Sequence, residues 1–356
     1  MSTPRRLASL DALRGCTVAA MLLVNDPGDW DHVYAPLEHS AWNGCTPTDL
    51  VFPFFLFVVG VSVALAVLPR LEQGAATPAA LTRAALWRAL RILGLGVAIN
   101  LLAAWWMPGA HLRLPGVLQR IGACYAGVAL FAIHTRPRTQ WAAIALVLAG
   151  YWGLLLLGGS LEPWTNIVSR TDSALFGRFV YQIDPLSGRG HDPEGLLGTL
   201  PSLVTSLLGL RAGCWLRQDK LKALLIAGVL SLLLGALWSC WLPLNKNLWT
   251  PSFVLWTAGW ASLALLACHQ LIDRHGWPAL GRRFGVNAIA AYAGSELMQI
   301  VLPALGQEAW YRRLFADWMT PRFGPYVPSL AFAVAFVALW WLIVWAMDRR
   351  RIYLKL

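Results

Sequence analysis

A polar segment with groups that exchange protons lies between two apolar runs near the start of the chain. It contains His39, Asn43 and Asp49 at the mouth of a predicted membrane helix. A neutral imidazole at His39 could deprotonate an amine or hydroxyl nucleophile, and Asp49 could hold the ring tautomer and stabilise the imidazolium. Asp49 and Thr46 could also cap the helix that follows, because their side chains can accept hydrogen bonds from free backbone N–H groups. The two roles are compatible.

Further polar side chains occur at or near the predicted outer ends of the apolar runs. Together with Trp42 and Asn43 beside His39, they are Asn25, Gln119, Arg120, Asp192, Glu194, Asn245, Lys246, Asn247 and Glu296. An ionisable group at membrane depth is costly unless it is paired or faces water. We therefore expect these side chains to converge on one another or on a hydrated cavity and to bind a polar substrate.

Two of these patterns also have a purely structural interpretation. Asp192, followed by Pro193 and Glu194, is typical of a helix start. Asp11 and Arg14 stand three residues apart in the first apolar run, which predicts an ion pair within one helix.

The composition indicates a membrane protein. Apolar residues make up 57% of the 356 residues and charged residues 13%, which is too apolar for one water-soluble globule. Many of the 20 tryptophans stand near the ends of apolar runs, at the level that lipid headgroups favour for indole rings. The net charge of +11 follows the loops on one side of the membrane, so it indicates orientation and not nucleic-acid binding. The six cysteines are scattered without a CxxC pair, and no metal site is expected.

About ten apolar runs are long enough to cross a hydrocarbon core of ~30 Å. They cover residues 12–27, 49–68, 89–106, 116–134, 141–158, 196–215, 222–242, 252–272, 286–305 and 328–347. Cations concentrate in alternate loops, which include Arg70, Arg83, Arg136, Arg138, Arg217, Lys220 and Arg282. The positive-inside rule then places both termini in the cytoplasm and the His39 segment outside. We predict an all-α polytopic membrane protein of about ten transmembrane helices, N-in and C-in, with residues 1–356 as a single domain.

Several sequence blocks occur in order along the chain and carry a family likeness. They are RLASLDALRG, HSAWNGCTPTDLVFPFFLFVVG, GVLQRIGACY, HDPEGLLGTLPSLVTSLLGLRAG, PLNKNLWTPSFVLWTAGWA and GVNAIAAYAGSEL. Together they resemble the heparan-alpha-glucosaminide N-acetyltransferase family, including its bacterial relatives associated with N-acetylglucosamine use. The likeness runs from about Arg6 to the C-terminus.

The resemblance implies a transmembrane acyltransferase that moves an acetyl group from cytosolic acetyl-CoA to an amino sugar or related glycan. In a bacterial inner membrane, the acceptor lies on the periplasmic side. The active histidine of the family lies in its H-x-x-W-N-G block and falls on His39. Its asparagine at the end of the preceding span falls on Asn25, and its acidic residue opening the next span falls on Asp49. His39 would then act as a general base or as an acyl carrier.

The same resemblance implies that acetyl-CoA is the co-substrate and, by analogy, that the protein forms a homodimer. Coenzyme A phosphates need cations at the inner ends of the helices, since arginine binds phosphate through two parallel hydrogen bonds. The available side chains are Arg14, Arg83, Arg88 and Arg91. Their alternative role is to anchor the topology.

Two other functions fit the same residues. One is an inner-membrane transporter of amino sugars such as N-acetylglucosamine, although no inverted repeat is visible in the sequence. The other is an O-acetyltransferase acting on envelope glycans, which shares the chemistry but uses a hydroxyl acceptor.

Overall fold

The computed structural model describes residues 7–107 and 109–354. Arg6, where the family likeness begins, lies outside the described residues, as do the two ends of the predicted 1–356 domain. The helices are α1 (Ala8–Asn25), α2 (Val51–Ala66), α3 (Leu68–Glu72), α4 (Pro78–Trp106), α5 (Val117–His134), α6 (Pro137–Leu157), α7 (Ile167–Phe176), α8 (Leu196–Arg217), α9 (Leu221–Ser239), α10 (Pro251–Cys268), α11 (Arg282–Val286), α12 (Ala288–Val301), α13 (Gln307–Tyr311), α14 (Asp317–Phe323) and α15 (Tyr326–Arg349). The strands β1 (Gln182–Ile183) and β2 (Gly190–His191) pair antiparallel.

The apolar runs form helices of membrane-spanning length. Within the described ranges, nine helical segments are long and apolar enough to cross a membrane, and each coincides with one of the predicted spans. This confirms the expected all-α, multi-pass membrane protein. The orientation of the termini stays a prediction.

The predicted span at 286–305 differs from the others. Its helix α12 has 14 residues, which at 1.5 Å per residue is about 21 Å and short of a ~30 Å core. Asn287 separates α11 from α12 with φ −120° and ψ 32°, and a 3₁₀ turn at Pro303–Leu305 follows. The apolar composition predicted one run, but these backbone breaks divide it.

The chain forms two compact units, and the described part of the first comprises Ala41–Gly44 and Leu56–Leu266. Helix α8 packs against α5, α6, α7 and α9 in this unit. The α2 backbone approaches α8 closely, because the Ser206 hydroxyl donates to the Leu56 carbonyl at 3.0 Å. A Cβ atom at Gly60 would overlap the Ser206 carbonyl oxygen, so the small residue permits this contact.

The described part of the second unit comprises 7–40, Cys45–Phe55 and 267–354. Helix α1 packs against α11, α12 and α15, around a core that includes Val18, Leu22, Phe284, Ala291 and Trp340. A Cβ atom at Gly15 would overlap the Gly281 carbonyl oxygen. This tight contact sets the position of α1, the helix that ends at Asn25.

The polar segment after α1 has little regular structure. Two 3₁₀ turns, Ala35–Leu37 and Thr48–Leu50, bracket His39. The segment 159–194, between the predicted spans 141–158 and 196–215, contains α7 and the β1–β2 pair. Helix α7 begins at a capping asparagine, since the Ser169 N–H donates to the Asn166 side chain at 2.8 Å.

Candidate active site

His39 and Asp49 form a close imidazole–carboxylate pair in the second unit. The distance from His39 Nδ1 to Asp49 Oδ1 is 2.7 Å. The His39 side chain is 48% exposed, whereas that of Asp49 is 1% exposed. A carboxylate on Nδ1 favours the tautomer that keeps the lone pair on Nε2. The pair therefore has the arrangement of a general base and its orienting acid.

Asp49 also organises the loop that carries His39. Its Oδ2 atom accepts hydrogen bonds from the Ser40 N–H at 3.1 Å and the Thr46 N–H at 3.0 Å. The Thr46 hydroxyl lies 3.2 Å from the same oxygen and 2.7 Å from the Glu38 carbonyl oxygen. Asp49 thus satisfies backbone N–H groups of the loop that precedes α2 and also contacts the imidazole. Capping of the helix that follows stays a prediction.

Asn25 is the last residue of α1 and is half-buried. The next residue, Asp26, is buried and accepts a hydrogen bond from the Gln299 side chain at 2.8 Å. Burial raises the pKa of Asp26, beyond the end of the α1 span, to about 7, and the charge of Glu296 adds to the rise. Glu296 and Gln299 lie on α12. The second unit thus holds the predicted Asn25, His39, Asp49 and Glu296.

An ion network lies in the first unit, before α8. Arg113 Nε donates to Asp192 Oδ2 at 2.8 Å, and Arg113 Nη2 contacts Glu194 Oε2. Burial would lower the pKa of the Arg113 guanidinium, but the carboxylates of Glu194 and the fully buried Asp192 raise it overall and keep the group charged. Burial would raise the pKa of Glu194, but the nearby cations, first of all Arg113, lower it overall. The sequence interpretation missed Arg113. The only sequence feature that could have pointed to it is its positive charge in a short outer loop.

Asp192 does not cap α8. The helix begins at Leu196, whose N–H donates to Asp172 Oδ1 at 3.1 Å. Asp192 instead accepts hydrogen bonds from the Tyr181 and Glu194 N–H groups, both at 2.9 Å. The helix-start interpretation of Asp192 is therefore wrong, because the arginine and the backbone of the β1 segment use its oxygens.

Arg120 is a buried cation in the same unit. Its Nη2 donates to the Gly195 carbonyl at 3.0 Å, and its guanidinium lies 5.2 Å from the Trp249 ring. Its Nε and Nη1 atoms are buried without a hydrogen-bond partner among the described residues. The adjacent Gln119 bonds the Leu114 carbonyl at 3.1 Å. Both side chains are therefore held near the start of α5.

The segment Ala41–Gly44 contacts the turn before α10. Asn245 Nδ2 donates to Asn43 Oδ1 at 3.0 Å, and the Gly44 N–H donates to the Leu244 carbonyl at 2.7 Å. Trp42 Nε1 donates to the Leu161 carbonyl at 2.9 Å. The predicted convergence of Asn43 with Asn245 is therefore present. The next two predicted residues, Lys246 and Asn247, are half-buried on this turn.

His191 is a second histidine that the sequence interpretation did not single out. It is 3% exposed, its Nδ1 lies 2.8 Å from the Ser169 hydroxyl, and its ring contacts Trp42 and Trp164 edge-on. Burial lowers the pKa of His191 to about 4, so the ring is neutral near pH 7. Its place directly before Asp192 in the HDPEG block was the only available signal.

The arginines predicted to bind phosphate have different surroundings. Arg14 pairs with Asp11 at 3.0 Å, which confirms the predicted intrahelical ion pair, and also donates to the Gly285 carbonyl at 3.2 Å. The other three, Arg83, Arg88 and Arg91, are exposed on α4. Their role toward a nucleotide stays a prediction.

Comparison with known proteins identifies relatives of the whole chain. The family model described as "Heparan-alpha-glucosaminide N-acetyltransferase, catalytic" matches residues 6–175. Heparan-alpha-glucosaminide N-acetyltransferase from Homo sapiens is 29% identical over 416 residues, covering 99% of this chain and 60% of the human protein. The Mus musculus protein of the same name is 28% identical over 418 residues, covering 100% of this chain and 61% of its own length. The chain thus spans about three fifths of the length of these relatives. The chain is thus similar to members of the family that the sequence blocks resemble.

Proposed function

We propose that this chain, as a relative of the heparan-alpha-glucosaminide N-acetyltransferases, is a membrane acetyltransferase with acetyl-CoA as donor and an amino sugar or related glycan as acceptor. The observation that carries the proposal is the 2.7 Å contact between His39 and the buried carboxylate of Asp49. A transporter has no need of an exposed imidazole oriented in this way, whereas acyl transfer to an amine requires a base.

In the proposed reaction the acceptor nitrogen attacks the thioester carbonyl carbon. His39 Nε2 removes a proton from that nitrogen, and the Asp49 carboxylate stabilises the imidazolium that forms. Asn25 donates a hydrogen bond to the carbonyl oxygen as negative charge develops there. The carbon–sulfur bond then breaks, and the leaving thiolate takes the proton from His39. The alternative is an acetylated His39 that passes the acetyl group to the acceptor in a second step. We favour direct transfer.

The proposed topology gives the reaction a direction. With both termini in the cytoplasm, acetyl-CoA enters from the side of Arg14, Arg83, Arg88 and Arg91, and the acceptor meets His39 on the periplasmic side of a bacterial inner membrane. Arginine suits the phosphates of coenzyme A. The further polar residues, among them Trp42, Gln119, Asp192 and Asn247, would bind the acceptor. We propose that the chain is one acyltransferase domain that acts as a homodimer.

Ligand-dependent stability separates an acyltransferase from a sugar transporter. Acetyl-CoA should raise the melting temperature of the detergent-solubilised protein, because a ligand that binds only the native state stabilises it. Arg83→Ala and Arg88→Ala should weaken this effect. Arg138→Ala is the matched control, since Arg138 is also exposed and on the predicted inner side.

The opposite result would favour transport. If millimolar acetyl-CoA gives no stabilisation while proteoliposomes take up unmodified N-acetylglucosamine, the proposal is overturned. The mass of the intact protein after incubation with acetyl-CoA alone separates the two mechanisms, because only an acyl-histidine intermediate adds a hydroxylamine-sensitive acetyl group that His39→Ala removes.

A further inference from the structure

Residues 307–323, which we call the surface helix, run from α13 through a π-helical turn at Arg312–Ala316 into α14. Large apolar side chains recur every four residues along it. This apolar row comprises Trp310, Leu314 and Trp318, which are 46%, 63% and 50% exposed. Five charged residues share the same helix, which makes it costly for the helix to cross a bilayer. A helix of this mixed character lies in the membrane interface, with its apolar side chains toward the lipid.

Contacts with two membrane-spanning helices place the surface helix at an end of those spans. Tyr311 and Phe315 each contact Phe332, near the start of α15, with ring centroids 5.8 Å from its ring centroid. A Cβ atom at Gly28, in the turn that follows α1, would overlap the Tyr311 ring. The surface helix is therefore held where α1 ends and α15 begins, which is the level of the lipid headgroups.

A cavity of about 780 Å³ lies beside the surface helix. Its lining contains the cations Arg312 and Arg313, the anions Glu308 and Asp317, and the indole of Trp30. The volume lies within the range of small-molecule sites. Because the lining has charges of both signs, it complements a zwitterionic ligand better than a simple anion or cation.

The charges of the cavity are available to a ligand. The side chains of Glu308 and Arg313 have no hydrogen-bond or ion-pair partner among the described residues. Arg312 Nε lies 3.9 Å from Asp317 Oδ1, and both side chains are more than half exposed, so this ion pair is weak. A guanidinium suits a phosphate group. A carboxylate with an indole ring nearby suits an ammonium group.

We propose that the cavity binds the headgroup of a zwitterionic phospholipid, whose acyl chains follow the apolar row of the surface helix. Arg312 and Arg313 contact the phosphate, while Glu308 and Trp30 contact the ammonium group. The apolar row identifies a lipid as the source of the headgroup, since a soluble phosphate ester has no chains to place there. The inference goes beyond acetyl transfer and does not depend on it.

Native mass spectrometry of the delipidated protein in detergent tests the site by titration with phosphatidylethanolamine or phosphatidylglycerol of the same acyl chains. The wild type should bind the zwitterionic lipid more tightly than the anionic one. Replacing Arg312 and Arg313 together by glutamine should weaken binding of both lipids by about fivefold or more, the upper range of an exposed ion pair. Glu308→Gln should weaken only phosphatidylethanolamine binding, which removes the preference. Arg322→Gln is the matched control, because Arg322 is an exposed cation of the same helix outside the described lining.

The two variants and the soluble headgroup decide the outcome. Equal binding of the two lipids by the wild type would overturn the inference, as would unchanged binding in folded variants. The Glu308→Gln variant alone tests the site if the double arginine variant fails to fold. Glycerophosphoethanolamine should not displace the lipid at about tenfold excess, because it buries no acyl chains. Displacement at that concentration would assign the cavity to a soluble zwitterion and overturn the lipid assignment.

Discussion

Replacing Asp49 by asparagine removes a negative charge beside His39 while keeping the side-chain shape. Asp49 Oδ1 lies 2.7 Å from His39 Nδ1. Asp49 Oδ2 accepts hydrogen bonds from the N–H groups of Ser40 and Thr46 at 3.1 and 3.0 Å. Asparagine has one acceptor oxygen, so its amide group must face at least one of these donors. The imidazolium formed during proton transfer would also lose its stabilising charge.

These contacts set the expected loss of activity and of stability in Asp49→Asn. Because the carboxylate orients the base and stabilises its protonated form, kcat should fall by about 10²- to 10⁴-fold, the range of a disabled general base. The KM for acetyl-CoA should change little. Loss of charged hydrogen bonds within the loop should also lower the free energy of unfolding by roughly 1–3 kcal/mol. The assays are initial-rate kinetics with detection of free coenzyme A and thermal unfolding in detergent.

Asp29→Asn is the control for this prediction. Asp29 Oδ2 lies 2.7 Å from His32 Nδ1, so the chain contains a second imidazole–carboxylate pair of the same length. That variant should retain nearly full kcat. A folded Asp49→Asn protein with wild-type kcat, or an equal loss in both variants, would refute the assignment of Asp49 as the orienting acid.

Three further predictions address the first unit and the topology. Burial lowers the pKa of His191 to about 4, so between pH 6.5 and 4 the unfolded chain binds a proton that the folded chain does not, and stability falls as the pH falls. His191→Gln should make the melting temperature less dependent on pH across this range. An unchanged dependence of the melting temperature on pH would contradict the burial argument. Arg113→Ala leaves the buried Asp192 without its cation and should lower the free energy of unfolding by about 3–5 kcal/mol. The melting temperature should then fall by several degrees. An unchanged melting temperature would show that the ion network of Arg113 contributes little to stability. In a background without native cysteines, Ser160→Cys should react with an impermeant reagent from outside and Arg282→Cys should not; the reverse pattern would invert the proposed direction of transfer.

The helices were predictable because the bilayer sets the length of an apolar run. Where the prediction failed, the cause was local: Asn287 and the turn at Pro303–Leu305 divide the run at 286–305. Helix α7 begins at the capping residue Asn166, but its sequence has no apolar run of membrane-spanning length, the pattern by which the spans were predicted. Composition thus predicts spans well and short polar-loop helices poorly.

Contacts of the site were predictable where the partners are near in sequence, or where both stand at predicted outer helix ends, as Asn43 and Asn245 do. His39 and Asp49 are ten residues apart, and the predicted role of Asp49 in holding the imidazole tautomer matches the contact that the structure shows. Arg113 and Asp192 are separated by 79 residues, and no spacing rule links two positions so far apart. The same holds for Asp26 and Gln299, 273 residues apart, because only the fold brings α12 to the end of α1.

The most direct measurement follows the acetyl group itself. Purified wild-type protein and His39→Ala are incubated with isotopically labelled acetyl-CoA and glucosamine, and the products are identified by mass spectrometry. The wild type should form N-acetylglucosamine that carries the label, and a folded His39→Ala protein should form it at least ~100-fold more slowly. Equal rates from the two proteins, or no labelled product from the wild type with any amino sugar or glycan acceptor, would contradict acetyl transfer by His39.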